Sequence, residues 1–215
     1  KVFINYNNLV TKDRSFRLSV ASELLSRGLA DKGYLSLSLE DKNGTWTQEV
    51  FDRNSQLNKD QKFLIIQTLK NIKEPLIIDK RDVKGEDSAN IELGFNQAAF
   101  VHLVSETNFY HNKLHLTEKI FKPIVLKMPF ILVGCANNLA YLRDYGFKTF
   151  SDYWDESYDD VSDKDRILEI RKVLTQLFTY TPEQIYNMYQ DMLPILTHNK
   201  NRLLELTNKD IKLAG

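Results

Sequence analysis

The residues best suited to chemistry form one run: Ser105-Glu106-Thr107-Asn108, then, after a polar spacer, Leu116-Thr117-Glu118-Lys119-Ile120-Phe121-Lys122-Pro123. The pattern predicts a strand ending near Ser105, a loop over Asn108–Leu116 and a helix over Thr117–Lys127. Thr117 suits the N-cap, where a hydroxyl accepts a backbone N–H. A helix N-terminus offers unpaired N–H groups and a positive dipole end, so it attracts phosphate. Lys119 and Lys122 add positive charge in the first turns. The Glu118 carboxylate can accept from two vicinal hydroxyls, as on a ribose. An anion site beside a hydroxyl acceptor is what a sugar nucleotide requires, and Glu106 and Asn108 flank it at the loop entrance. A solvated helix cap with a surface salt bridge has the same pattern, so the residues alone leave both readings open. Pro123 sits beyond the usual proline position, which predicts a kink or a later helix start.

Other candidates are weaker. Arg14 and Arg17 lie three apart, on one face of a helix that follows the first strand. They fit either an electrophilic clamp on a leaving diphosphate or ordinary surface arginines. His111 and His115 are four apart, a spacing that can share a metal, but the loop offers no cysteine and no evident third ligand. The acidic stretch from Asp152 to Asp165 contains Asp163-Lys164-Asp165, a diphosphate–metal spacing, yet it follows no buried strand. It reads as a solvated loop and helix N-terminus. No metal is therefore expected, with Lys and Arg taking the place of a cation. Cys135 reads as a small buried or loop-end residue, and Tyr141, Arg143 and Phe147–Phe150 as packing and a turn.

These groups need a scaffold. Val2–Tyr6 and Leu35–Leu39 read as strands, separated by a helical repeat at Leu18, Ala21, Leu24, Leu25 and Leu29. Lys42–Asn54 is polar, with Asn43-Gly44 as a turn signal. Leu57–Ile72 is partly helical in pattern, Leu76–Asp79 a short strand, and Lys80–Asn90 a charged loop. Ala99–Val104 and Phe130–Val133 are further strands, and Leu139–Tyr145 a short helix stopped by Gly146. Two long helical patterns run from Asp165 to about Thr207, with Pro182 at a first turn and Pro194 expected to kink or break the second. Alternating strands and helices predict an α/β fold: a Rossmann-like, mostly parallel sheet flanked by helices, with C-terminal helices. Ligands in such sheets bind beyond the carboxyl ends of the strands, which points to the loops Asn7–Asp13, Glu106–Thr117 and Gly134–Asn138.

Bulk properties narrow the class. With 215 residues and 42% hydrophobic content, one good core is within reach. We read a single domain over 1–215, with about 160–215 as a helical extension. The 29 basic and 29 acidic residues cancel, which argues against a nonspecific nucleic-acid coat but not against a local phosphate site. One cysteine rules out an internal disulfide and fits a reducing compartment. No apolar run approaches the roughly 18–20 residues of a membrane span. The expected location is cytoplasmic.

The segment from about Phe100 to Asp159 resembles a family of phage and bacterial glycosyltransferase-like proteins. The resemblance rests on Ser105-Glu106-Thr107, Thr117-Glu118-Lys119 with Phe121-Lys122-Pro123-Ile124, and Pro129-Phe130-Ile131-Leu132 with Gly134. Tyr141-Leu142-Arg143 with Gly146-Phe147-Lys148-Thr149-Phe150, and Asp155-Glu156-Ser157-Tyr158-Asp159, continue it. Val2-Phe3-Ile4-Asn5, Arg14, Arg17-Leu18 and Gly28-Leu29 resemble the opening of the same proteins, and His198-Asn199 with Asn201-Arg202 their end. More distantly, Asn108 and Thr117-Glu118-Lys119 are similar to the donor motif of the α-1,3-fucosyltransferases. That resemblance implies a GT-B-type donor domain in which Glu118 holds the nucleotide ribose, Lys119 the diphosphate, and Asn108 lines the site. Arg17 or Arg14 would also contact phosphate. Lys122-Pro123 departs from the fucosyltransferase pattern, which leaves the donor sugar open.

The expectation is a metal-independent glycosyltransferase that moves a sugar from a nucleotide-sugar donor to a glycan or other hydroxyl acceptor. Arg17 and Lys119 are the catalytic candidates. Arg14, Glu106, Asn108, Thr117, Glu118, Lys119 and Lys122 form the donor set. No cofactor beyond the donor substrate is expected. An acceptor domain would be missing from this chain or lie N-terminal to it, because the sequence opens at Lys1 directly in a strand-like run. Two alternatives share the motifs: a DNA-base glycosyltransferase acting on modified DNA, and a non-catalytic virion or glycan-binding module.

Overall fold

The computed structural model of the chain describes residues 1–41, 44–51, 56–72, 76, 78, 93–111 and 113–213. Four strands form one all-parallel sheet: β1 (Phe3–Asn7), β2 (Gly33–Leu37), β5 (Val101–Ser105) and β6 (Phe130–Val133). A small antiparallel pair, β3 (Glu40–Asp41) and β4 (Gly44–Thr45), stands apart. The helices are α1 (Phe16–Ser26), α2 (Trp46–Phe51), α3 (Lys59–Leu69), α4 (Leu93–Gln97) and α5 (Glu118–Leu126), then α6 (Asn138–Asp144), α7 (Asp163–Leu177) and α8 (Pro182–Leu213). The result is a Rossmann-like α/β architecture with C-terminal helices.

The sheet order is β2-β1-β5-β6. The chain thus moves outward from β1 to β2, returns across β1 to β5, and continues outward to β6. Right-handed crossovers in opposite directions put α1 and α5 on opposite faces of the sheet. α1 packs with α3 and α7, and α5 packs with α8. Both faces of the sheet are covered: every residue of β5 and β6 is buried, and β6 reads as a continuous apolar run. Phe3 pairs with Gly33, and a Cβ at Gly33 would lie 2.3 Å from the Phe3 ring. Glycine is therefore required there by close approach.

The loop side has its own polar core. Asn5 Nδ2 donates to the Leu103 carbonyl at 2.7 Å and to Ser105 Oγ at 3.0 Å, and Asn7 Nδ2 donates to Asn5 Oδ1. All three side chains are buried. They tie β1 to β5 along the seam where strand order reverses.

Several expectations change. α8 runs through Pro194 without a break: the proline removes one N–H and leaves the Gln190 carbonyl without its intrahelical donor, but it sits on the exposed side. α5 starts at Glu118 despite Pro123, because the apolar stripe of Ile120 and Ile124 is buried against the sheet. A helix, α2, occupies part of the polar stretch 42–54. Leu76, the first residue of the expected short strand, forms a single antiparallel bridge to Leu37. Ile77 and Asp79, the loop Lys80–Asn90, and Lys42 and Asn43 of the turn signal lie outside the described residues. His198, Asn199 and Arg202 anchor α8 to the turn after α6. His198 Nε2 lies 2.9 Å from the Gly146 carbonyl, Asn199 bonds both the N–H and the C=O of Lys148, and Arg202 Nε donates to the Tyr145 carbonyl at 2.7 Å. No helix among the described residues is long and apolar enough to cross a membrane.

Candidate functional site

The strand order reverses between β1 and β5, and ligands in such sheets usually bind outside the carboxyl ends of the strands at that point. The loop after β1 leads through a 3-10 turn at Lys12–Arg14 into α1. The loop after β5, from Glu106 to Thr117, leads into α5. Both were expected from the sequence to matter, and the structure brings them together.

Arg17 makes that junction. Nη1 donates to the Leu9 carbonyl at 2.9 Å, and Nη2 to the carbonyls of Ser105 at 3.0 Å and Glu106 at 2.9 Å. The side chain is 3% exposed. By its position in the sequence Arg17 is a candidate ligand for a diphosphate. The structure turns its guanidinium inward, where it clamps the main chain of both site loops. Arg14 is half-buried on the 3-10 turn.

Glu106 closes the loop. Its side chain is fully buried. Oε1 accepts the Thr117 N–H at 3.2 Å, and Oε2 accepts the Thr107 N–H at 3.2 Å and the Thr117 hydroxyl at 2.5 Å. A carboxylate so engaged joins residues 11 positions apart and has no face toward solvent. Glu106 thus builds the site rather than lining it.

Thr117 caps α5 as expected, accepting the Lys119 N–H. By helix geometry the first amides of α5 have no backbone acceptor one turn back, and the Glu118 N–H meets its own carboxylate. The Lys119 ammonium donates to Glu118 Oε1 at 2.8 Å, Thr117 Oγ1 at 3.1 Å and Thr107 Oγ1 at 3.2 Å. The Glu118 and Lys119 side chains are 36% and 30% exposed, respectively, so both present charge at the surface. Burial alone would raise the Glu118 carboxyl, but the Lys119 hydrogen bond and charge outweigh it and hold it below the usual glutamate range. Lys122 follows on the next turn, half-buried. It adds to the burial that pushes His102 down to about 3. Asn108 Nδ2 donates to the Lys113 carbonyl at 3.4 Å, bridging the loop.

A second buried arginine, which the sequence reading did not single out, holds the middle of this loop. Arg166 on α7 donates from Nη1 to the carbonyls of Phe109 at 3.3 Å and Gly134 at 3.1 Å and to Asp163 at 2.9 Å, and from Nη2 to Val161 at 2.7 Å. Its guanidinium stands 5.0 Å from the Phe109 ring centroid, and Phe109 in turn stacks on Phe16 at 4.5 Å. Only its i,i+3 relation to Asp163 is visible in the sequence. Asn112, within the same loop, lies outside the described residues.

His111 and His115 are exposed, and among the described residues no group of His, Cys, Asp and Glu is placed to hold a metal ion. Cys135 is buried, 3.1 Å from the Lys113 carbonyl, and burial raises its thiol above the ordinary range. The acidic stretch is not all solvated. Asp159 is buried and accepts the N–H groups of Leu139 and Ala140 at the start of α6. Glu156 accepts from the Phe150 N–H and the Thr149 hydroxyl, both at 2.7 Å. Arg143 pairs with Glu156 at 3.4 Å, while Phe147 and Phe150 are core.

Compared with protein-family models, with curated proteins and with solved structures, the chain matches none.

Proposed function

We propose that this chain is the nucleotide-sugar-binding unit of a metal-independent glycosyltransferase of GT-B type. The observation that carries the reading is the delivery of Thr117-Glu118-Lys119 to the N-terminus of α5, at the loop edge of a parallel sheet and next to its topological switch. The donor diphosphate would lie over the N-terminus of α5 and against the Lys119 ammonium. The ribose hydroxyls would replace Lys119 as partners of the Glu118 carboxylate. The Glu118–Lys119 pair is partly exposed and contributes only about 0–1 kcal/mol, so opening it to admit a ligand costs little. The low pKa of Glu118 keeps it an acceptor throughout the neutral range.

Chemically, this arrangement assists departure of the nucleoside diphosphate. An acceptor hydroxyl attacks the anomeric carbon as the bond to the diphosphate oxygen breaks. Lys119 and the helix amides stabilise the charge that collects there. Lys119 is the catalytic residue of this reading, with Lys122 and Arg14 contributing field. Arg17 acts by holding the two loops in place. A general base for the acceptor, where one is needed, comes from the acceptor side.

A thermal-shift screen with UDP, GDP, CMP, ADP and their sugar conjugates, repeated on Glu118→Ala, tests the reading. A ligand that binds only the folded state raises the melting temperature. A selective rise that disappears in the variant is expected. No rise with any nucleotide would move the non-catalytic module ahead.

A further inference from the structure

We propose that Glu106 is a positioning residue for Lys119, acting through the Thr117 hydroxyl. The inference rests on the reading of Lys119 as the diphosphate ligand. A threonine hydroxyl has one proton and two acceptor lone pairs. With Glu106 Oε2 only 2.5 Å from Thr117 Oγ1, the proton goes to the carboxylate in a charge-assisted bond. The lone pairs are then left for the Lys119 ammonium at 3.1 Å and the Lys119 amide at 3.4 Å. A rotated hydroxyl would point its proton at a cation. The buried charge of Glu106 thus fixes which side of Thr117 faces Lys119, and with it the direction in which the ammonium is held.

The same carboxylate accepts the backbone N–H groups of Thr107 and Thr117. The Thr107 hydroxyl is the third oxygen on the Lys119 ammonium. Both hydroxyls that orient Lys119 therefore belong to residues whose backbone Glu106 holds. A glutamine at 106 keeps the shape but loses one acceptor oxygen and the charge. A valine at 117 keeps the shape and leaves Glu106 its two amides, but removes the link to Lys119.

The test is titration of inorganic pyrophosphate into the full chain by calorimetry, on wild type, Lys119→Ala, Glu106→Gln, Thr117→Val and Thr117→Ser. Lys119→Ala is expected to weaken binding by about tenfold or more, and Thr117→Val and Glu106→Gln by about three- to tenfold. Thr117→Ser restores the hydroxyl and should bind within about twofold of wild type. The double variant Thr117→Val/Lys119→Ala should bind no more weakly than Lys119→Ala alone, because the two residues act as one unit. If Lys119→Ala binds like wild type, the donor-site reading itself fails and the relay falls with it. If Lys119→Ala weakens binding while Thr117→Val and Glu106→Gln do not, the relay is overturned and the donor site stands. Should Glu106→Gln not fold, the pair Thr117→Val and Thr117→Ser decides the matter.

Discussion

The Arg17 guanidinium grips the main chain of Glu106: Nη2 donates to its carbonyl oxygen at 2.9 Å, across 89 residues of sequence. The same nitrogen holds the Ser105 carbonyl, while Nη1 holds Leu9. One side chain at the start of α1 thereby fixes where the loops after β1 and β5 leave the sheet. Placing an arginine at the site and placing it on the ligand are different assignments, and the hydrogen bonds favour the first.

Arg17→Ala should therefore act on stability before binding. It leaves three carbonyls short of donors, and the expected loss is about 3 kcal/mol, the scale of unpaired buried polar groups. Urea unfolding measures it. A variant as stable as wild type that has lost only nucleotide affinity would return Arg17 to the ligand.

Pro194 lies inside α8 on its exposed side. Pro194→Ala supplies the missing N–H to the Gln190 carbonyl without disturbing buried packing. It should stabilise the protein by about 1–3 kcal/mol, bounded by the helix penalty of proline. A lower melting temperature for the alanine variant would show that the proline has a packing or register role.

Asp159 gives a pH prediction. Burial raises its carboxyl above the ordinary 3.8, and the Leu139 and Ala140 amides offset only part of that. Between the ordinary and the raised value the native state holds a proton that the unfolded state has lost. Stability therefore falls as pH rises through that window and grows as pH drops through it. Asp159→Asn does not titrate, so wild-type stability minus variant stability should increase on going from about pH 7 to about pH 4. Urea unfolding across that range checks it, and a flat difference or one of opposite slope would contradict the burial argument.

Much of the fold is legible in the residues themselves, because local signals and tertiary packing agree. Phe130–Val133 is an unbroken apolar run between a proline and a glycine, and its strand bounds follow directly. Thr117 announces the start of α5 by its capping chemistry. The charged side chains are harder to read, since a long guanidinium reaches carbonyls that only the fold brings near. Arg17, Arg166, Glu106 and Asp159 all have polar types that suggest exposure. Each is buried because it satisfies main-chain groups from distant segments. At Pro194 the helix does not break: its local penalty is real, but Met192 and Leu196 are buried on either side of it, and that packing outweighs one lost hydrogen bond.

The most direct test of the central claim is calorimetric titration of UDP and GDP, in parallel, into wild type and Lys119→Ala. Loss of a hydrogen bond to a charged group is worth about 1.5–3 kcal/mol, or about ten- to hundredfold in affinity. The variant should lose that much for the nucleotide that binds wild type, with its unfolding midpoint little changed because the Lys119–Glu118 pair is partly exposed. Equal affinity of wild type and variant for every nucleoside diphosphate would remove Lys119 from the donor site, and the donor site from the start of α5.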